Sequence, residues 1–211
     1  MDFSKVNKTV ALLGKRNSGK SQLLRYLVKS HQQDFVKIFV ISPTEQINKF
    51  YKEFVPNNCV FDGWKEEWVE TLIAKMTQIS IKEKNKNVLL ILDDCGSDTN
   101  FNTSNTFKKL FTRGRHIFVS IIITCQYIYQ LPRITRSNLD FILCGQMNKM
   151  GSEILADEFL YGSIHKKEFL KMYHNASSDY GFLLINCNSV KHSDDLNLMY
   201  GILRCPKEHI K

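Results

Sequence analysis

Residues 14–21 read Gly-Lys-Arg-Asn-Ser-Gly-Lys-Ser and fit the pattern G-x-x-x-x-G-K-[ST], which constrains the chain more than any other stretch. Gly14 and Gly19 let the backbone turn sharply and approach a phosphate chain with no Cβ in the way. Such a loop does its work only between a buried strand and the start of a helix, where its N–H groups converge on anionic oxygens. The flanks have that form. Val10-Ala11-Leu12-Leu13 is an apolar run leading in, and Leu23, Leu24, Leu27 and Val28 follow at helical spacing. A strand over 9–13 and a helix over 19–30 are therefore expected. The N–H groups of Asn17, Ser18, Gly19, Lys20, Ser21 and Gln22 then face the phosphates of a nucleoside triphosphate. Lys20 reaches its β- and γ-phosphates, and the Ser21 hydroxyl ligates Mg²⁺.

The rest of the chain alternates strand and helix. Strands are expected over 36–41, 58–61, 88–92, 117–124 and 141–144. An amphipathic helix carries Trp68, Val69, Leu72, Ile73, Met76 and Ile79 on one face. A short helix over 105–112 turns Phe107, Leu110 and Phe111 inward, and one or two helices cover 149–173. Two strand-like runs, 181–186 and 198–203, flank a polar segment and suggest a C-terminal hairpin. Several strands are continuous Val, Ile and Leu runs instead of alternating ones, which argues for a parallel sheet buried on both faces. The expected fold class is α/β, a phosphate-loop protein with a mostly parallel central sheet flanked by helices. With 211 residues and no visible linker, a single domain over 1–211 is expected, its core about 8–146, with 147–211 completing it.

Charge bears on partners. The formal net charge is +8, and no acidic residue occurs from Thr99 to Leu139, where Lys108, Lys109, Arg113, Arg115, Arg133 and Arg136 all fall. A basic region suits a polyanion, although a lysine-rich composition alone also gives a basic protein. The six cysteines are widely spaced with no C-x-x-C pair, as buried reduced thiols are, so neither a disulfide frame nor a structural metal is expected. There is no apolar signal region at the N-terminus, and the longest near-apolar run, 117–125, is far too short to span a bilayer. An intracellular setting, or one inside a host cell, is expected.

A second motif completes the site. Residues 88–94, Val-Leu-Leu-Ile-Leu-Asp-Asp, form an apolar strand ending in two carboxylates. Asp93 is expected to hold Mg²⁺, through a water, and Asp94 to polarise the attacking water as general base. Gln126 ends the apolar strand that follows. If that strand lies between the phosphate-loop strand and the Asp-Asp strand, Gln126 sits beside the γ-phosphate and can bond the water or sense the phosphate. Arg113 and Arg115 precede the same strand, at the opposite edge of the sheet. They cannot easily reach their own subunit's nucleotide but can reach a neighbour's as trans-acting arginine fingers.

Taken together, Gly-Lys-Arg-Asn-Ser-Gly-Lys-Ser, Leu-Leu-Ile-Leu-Asp-Asp-Cys and Arg-Gly-Arg-His-x-x-x-Ser-x-x-x-Thr-x-Gln resemble the genome-packaging ATPases of poxviruses, giant viruses and virophages, of the FtsK–HerA superfamily. The resemblance spans roughly residues 8–146. It implies a RecA-like ATPase domain that uses ATP and Mg²⁺, with catalytic roles for Lys20, Asp94, Gln126 and Arg113 or Arg115. It further implies a homo-oligomeric ring, of about five or six subunits, that pumps double-stranded DNA regardless of sequence into a preformed capsid. A capsid or portal-like vertex protein is the implied docking partner. Host-cell cytoplasm, the viral factory, and the virion are the implied locations. Two segments are candidates to face a DNA channel: the polar stretch 95–105 and the basic stretch 130–137. Residues after Gln146 match no motif.

Three other readings fit parts of the chain. Asp93-Asp94-Cys95-Gly96 fits D-x-x-G, and Asn148-Lys149 lies where a guanine-reading N-K-x-D belongs, but Gly151 stands where its Asp should be. A GTPase switch would thus lack base selection. A small-molecule kinase would need an arginine-rich lid that the spacing does not supply. A nucleotide-binding assembly protein without turnover is disfavoured by the presence of Asp94 and Gln126.

Overall fold

The computed structural model describes residues 7–83, 86–95, 101, 103–160, 164–188 and 195–206. Eight strands form one sheet: β1 Thr9–Leu13, β2 Lys37–Ile41, β3 Val60–Phe61, β4 Val88–Leu92, β5 Val119–Cys125, β6 Phe141–Cys144, β7 Gly181–Asn186 and β8 Tyr200–Arg204. Their order is β3-β2-β4-β5-β1-β6-β7-β8. The ladders from β3 to β6 are parallel, and only β6–β7 and β7–β8 are antiparallel. Five helices of nine residues or more flank it: α1 Lys20–His31, α2 Glu66–Lys82, α3 Asn105–Arg113, α4 Lys149–Phe159 and α5 Lys166–Ala176.

The central strands are apolar throughout because both faces are covered. Side chains alternate across a strand, so each strand feeds two cores. Ala11, Leu13, Leu90, Leu92, Ile121 and Ile123 join one core with α2, α3, α4 and α5. Val10, Leu12, Leu89, Ile91 and Ile122 join the other, with Leu23, Leu24, Leu27 and Val28 of α1 and with Tyr51, Val55 and Cys59. All residues of β1, β4 and β5 are buried. None of the six cysteines is in a disulfide, and all but Cys187 are buried.

Several boundaries move for local reasons. The strand expected from 117 starts at Val119, because Gly114–Ile117 form a 3-10 turn and Phe118 takes a left-handed φ of 57° that re-aims the chain. The strand expected over 58–61 shortens to Val60–Phe61 behind a 3-10 turn at Asn57–Cys59. The C-terminal runs pair as an antiparallel ladder from Gly181↔Arg204 to Ile185↔Tyr200, with a helical turn at Leu196–Met199 leading into β8. Part of the segment between them lies outside the described residues. So does most of the polar stretch 95–105, whose Phe101 is fully buried and packs at 4.1 Å from the Phe107 ring and 5.0 Å from Trp64. The basic stretch 130–137 folds into the helical turn Arg133–Arg136, where buried Thr135 and an Arg136–Glu158 ion pair hold it against the body. Arg133 remains exposed.

Candidate functional site

Parallel strands that run together deliver their C-terminal ends to one edge of the sheet, where ligands of open α/β sheets bind. Here β4, β5 and β1 are adjacent, in that order. The phosphate loop leaves β1, Asp93 and Asp94 leave β4, and Gln126 leaves β5 between them. The condition set for Gln126 is met.

Non-covalent ties on both sides shape the loop. Gly14 N–H donates to the Cys125 carbonyl (3.3 Å) and Lys15 N–H to that of Gln146 (2.8 Å), so β5 and the segment after β6 both hold it. Gly14 has φ 155°, and a Cβ there would lie 2.5 Å from Ser18 Oγ. Asn17 takes φ 60° and Gly19 φ 88°, which closes the turn onto α1. No side chain caps α1, and no acidic residue occupies its first turn. The positive end of its dipole is therefore uncompensated by the protein, as an anion site requires. Lys20 Nζ folds back over the loop and donates to the carbonyls of Gly14 (2.5 Å) and Lys15 (3.0 Å). Burial pushes the Lys20 ammonium below its usual pKa, opposed by the nearby carboxylates of Asp94 and Asp93.

The two carboxylates diverge. Asp93 N–H donates to Ile41 carbonyl (2.9 Å), extending the ladder with β2. Its Oδ1 accepts from Thr124 Oγ1 (2.6 Å) and its Oδ2 from Ser42 Oγ (3.2 Å). The buried Tyr51 hydroxyl lies near Asp93; burial first, and then that carboxylate, raise the phenol well above its usual pKa, so it stays protonated. Asp94 leaves the strand at φ 52°, which turns its side chain away from Asp93, and its N–H donates to Thr124 Oγ1 (3.0 Å). Thr124 thus ties both acidic residues to β5. Burial, followed by the charge of Asp93, raises the Asp94 carboxyl above its ordinary value, while Lys20 and Arg16 pull it down. Lys20, Ser21, Asp93, Asp94, Thr124 and Gln126 line one cleft of about 510 Å³, with Arg16 and Tyr51 also on its wall. Gln126 is held there by its own N–H donating to Gln130 Oε1 (2.7 Å).

Arg113 ends α3 and Arg115 lies in the turn before β5, both exposed. Seven residues of β5 separate that turn from Gln126, a span of about 20 Å. They lie at the far end of the sheet from the cleft, as their position in the sequence suggests. Asn148, considered as half of a guanine-reading pair, instead caps α4, accepting from Gly151 N–H at 2.8 Å.

Some contributors escape a reading of motifs. Tyr51 and Glu45 lie in a segment with no pattern; the buried Glu45 carboxylate accepts from the N–H groups of Tyr51 (3.0 Å) and Lys52 (3.1 Å) and fixes the Tyr51 backbone. A Glu in a short turn gives no signal of burial. The stretch after Gln146 has a role too. Tyr173 of α5 donates to the Gly145 carbonyl (2.9 Å) and accepts from Met147 N–H (2.8 Å). It braces the residues on either side of Gln146, whose carbonyl receives Lys15 N–H.

Known proteins share this architecture. The family described as Poxvirus A32 protein matches residues 2–200. Uncharacterized protein 075L of invertebrate iridescent virus 6 is 29% identical over 181 residues, covering 84% of this chain and 69% of that protein. Uncharacterized protein L437 of Acanthamoeba polyphaga mimivirus is 28% identical over 147 residues, covering 65% of this chain and 51% of that protein. The chain thus spans between about half and about two thirds of these relatives. Among solved structures, the genome packaging NTPase B204 of Sulfolobus turreted icosahedral virus 2, in complex with AMPPCP, superposes with a TM-score of 0.65 at 17% identity, covering 94% of this chain and 97% of B204. That likeness concerns the fold. Among the described residues, no helix is long and apolar enough to cross a membrane.

Proposed function

The chain belongs to the Poxvirus A32 protein family, and from that premise we propose that it is a Mg²⁺-dependent ATPase that drives double-stranded viral DNA into a preformed capsid. One observation carries the enzymatic half: strand order β4-β5-β1 gathers Lys20, Asp93, Asp94 and Gln126 into a single cleft. Binding alone does not call for the latter two. The printed description of B204 as a genome packaging NTPase supports the packaging half.

The residues present suit Mg²⁺. Ser21 and Asp93 offer only oxygen donors, which hard cations prefer, and the Asp93 oxygens already accept from Thr124 and Ser42. Ser21 and Asp93 would hold the ion. When bound, Mg²⁺ neutralises charge on the β- and γ-phosphate oxygens.

In the proposed mechanism the loop N–H groups and Lys20 orient the triphosphate with its γ end toward Asp94. The raised pKa makes the Asp94 carboxylate a stronger base than an exposed one, so it accepts the proton of the attacking water more readily. Gln126, entering from β5, hydrogen-bonds that water or the γ-phosphate and registers its loss. Arg113 or Arg115, about 20 Å away along β5, serves the nucleotide of an adjacent copy in a ring. Loss of the γ-phosphate then weakens the contact between copies and lets rigid subunits shift. The excess of basic residues over 99–139 suits sequence-independent contact with the DNA backbone.

The test is ATP hydrolysis with and without linear double-stranded DNA. Stimulation by DNA that fades as salt rises is expected, with no turnover in Lys20→Ala. Turnover indifferent to DNA at every salt concentration would remove the motor reading, and a strong guanine preference would remove ATP. Mixing Arg113→Ala or Arg115→Ala subunits with Lys20→Ala subunits addresses the trans arginine. Partial recovery of activity is expected for the arginine that acts, and no recovery at any ratio for either refutes it.

A further inference from the structure

Beside the phosphate loop, the turn between α5 and β7 holds an unusual conformation. Asp179 and Tyr180 have φ values of 48° and 57°, two consecutive left-handed residues that are not glycine. Such a pair persists only where the surroundings impose it. Arg204 of β8 donates to the carbonyls of Ser178 (3.0 Å) and Asp179 (3.4 Å), and Gly181 N–H donates to the Ser178 carbonyl (2.8 Å). Gly181 itself approaches the backbone so closely that a Cβ would lie 2.2 Å from the Ala176 carbonyl oxygen. The result is that the Tyr180 ring lies against the loop, 3.3 Å from where a Gly19 Cβ would be, while Tyr180 keeps 59% of its surface exposed.

That ring faces a cleft of about 450 Å³, separate from the one that holds the carboxylates. Both clefts are lined by Asn17, Lys20 and Ser21, so the loop runs between them. A triphosphate laid along the loop has its γ end beside Asp93, Asp94 and Gln126. Its other end, with sugar and base, enters the Tyr180 cleft. Gln22 also lines this cleft.

We propose that Tyr180 is the stacking platform for the nucleobase of the bound nucleotide. The inference rests on the reading of the loop as a triphosphate site and adds the subsite for the other end of the ligand. An aromatic face reads area and polarisability more than base edges, so it favours purines without selecting strictly between them. The clamp by Arg204 and Gly181 then has a function: it pre-orders the ring, which lowers the entropic cost of stacking.

Isothermal titration of the full chain with ATP and with inorganic tripolyphosphate, both with Mg²⁺, tests this. Tyr180→Asn removes the ring, and Asn tolerates the left-handed φ. It is expected to weaken ATP binding roughly tenfold or more while leaving tripolyphosphate within about twofold. Tyr180→Phe, which keeps the ring, is expected to match the wild type for both. Wild-type affinity for ATP in Tyr180→Asn overturns the inference, as does an equal loss for ATP and tripolyphosphate, which would make the tyrosine a support of the loop. Wild-type protein that binds neither compound overturns the triphosphate reading itself.

Discussion

Thr124→Val isolates the tie that joins the two acidic residues to the strand between them. Valine keeps the shape of threonine, so the change removes one hydroxyl with little change in volume. That hydroxyl donates to Asp93 Oδ1 at 2.6 Å and accepts from Asp94 N–H at 3.0 Å, on a residue 2% exposed. A hydrogen bond to a charged group contributes about 1.5–3 kcal/mol and a neutral one about 0.5–1.5 kcal/mol. Asp93 retains Ser42 and Tyr51, and both acidic residues are half-buried, so water recovers part of the loss. The net destabilisation expected is about 2 kcal/mol, a fall of about 1 M in the urea midpoint for an m-value near 2 kcal/mol/M. Turnover should fall more steeply, on the order of 10²-fold, because catalytic groups tolerate little misplacement. Thr124→Ser keeps the hydroxyl and loses only a methyl, costing about 1 kcal/mol, with near-normal turnover. Thr124→Val protein as stable and as active as the wild type would refute the reasoning.

Outcomes at three further residues can be checked. Asp94→Asn should abolish hydrolysis, since the amide accepts no proton. In the wild type, the acid limb of activity should lie above the ordinary carboxylate range, because the folded protein raises this pKa. The same shift sets the sign of a stability effect: a raised folded pKa favours the protonated form, so its contribution is present at low pH and lost as pH rises through the folded value. Asp94→Asn should therefore raise the melting temperature at neutral pH, an advantage that shrinks in acid; a lower melting temperature at pH 7 contradicts this. Gly181→Ala should lower stability by about 1–3 kcal/mol in urea unfolding, because its Cβ meets the Ala176 carbonyl at 2.2 Å, and an unchanged midpoint would show that the turn relaxes freely. Tyr51→Phe should lower turnover with little change in nucleotide affinity, since it removes a hydroxyl that interacts with Asp93 and leaves the loop intact; equal effects on both would assign Tyr51 to binding.

Elements whose signal is local were legible early. The continuous apolar runs of β1, β4 and β5 announce strands covered on both faces, and the heptad-like spacing in α2 announces a helix with one buried face. Boundaries slipped where a turn interrupted an apolar run, as at Phe118, whose left-handed φ no composition signals. The parts of the cleft that went unseen come from residues with ordinary sequence surroundings. Tyr51 meets Asp93 across 42 positions, and Tyr173 braces Gly145 across 28. Thr124 stood inside a recognised motif, but the bond that gives it a role spans 31 positions.

By itself the sequence determined the chemistry available: a glycine-hinged loop with Lys20 and Ser21, a strand ending in Asp93-Asp94, a strand ending in Gln126, and widely spaced cysteines with no C-x-x-C pair. These follow from backbone freedom, donor types and hydrophobic period, all set within a few residues. Only the tertiary structure decided that β5 lies between β4 and β1, which puts Gln126 and Thr124 beside the carboxylates and leaves Arg113 and Arg115 at the far end. It also decided that a C-terminal stretch without motifs braces the loop through Tyr173 and sets Tyr180 beside Gly19. Strand order and long-range packing arise from burying two apolar faces at once, a condition on the whole chain that no short segment encodes.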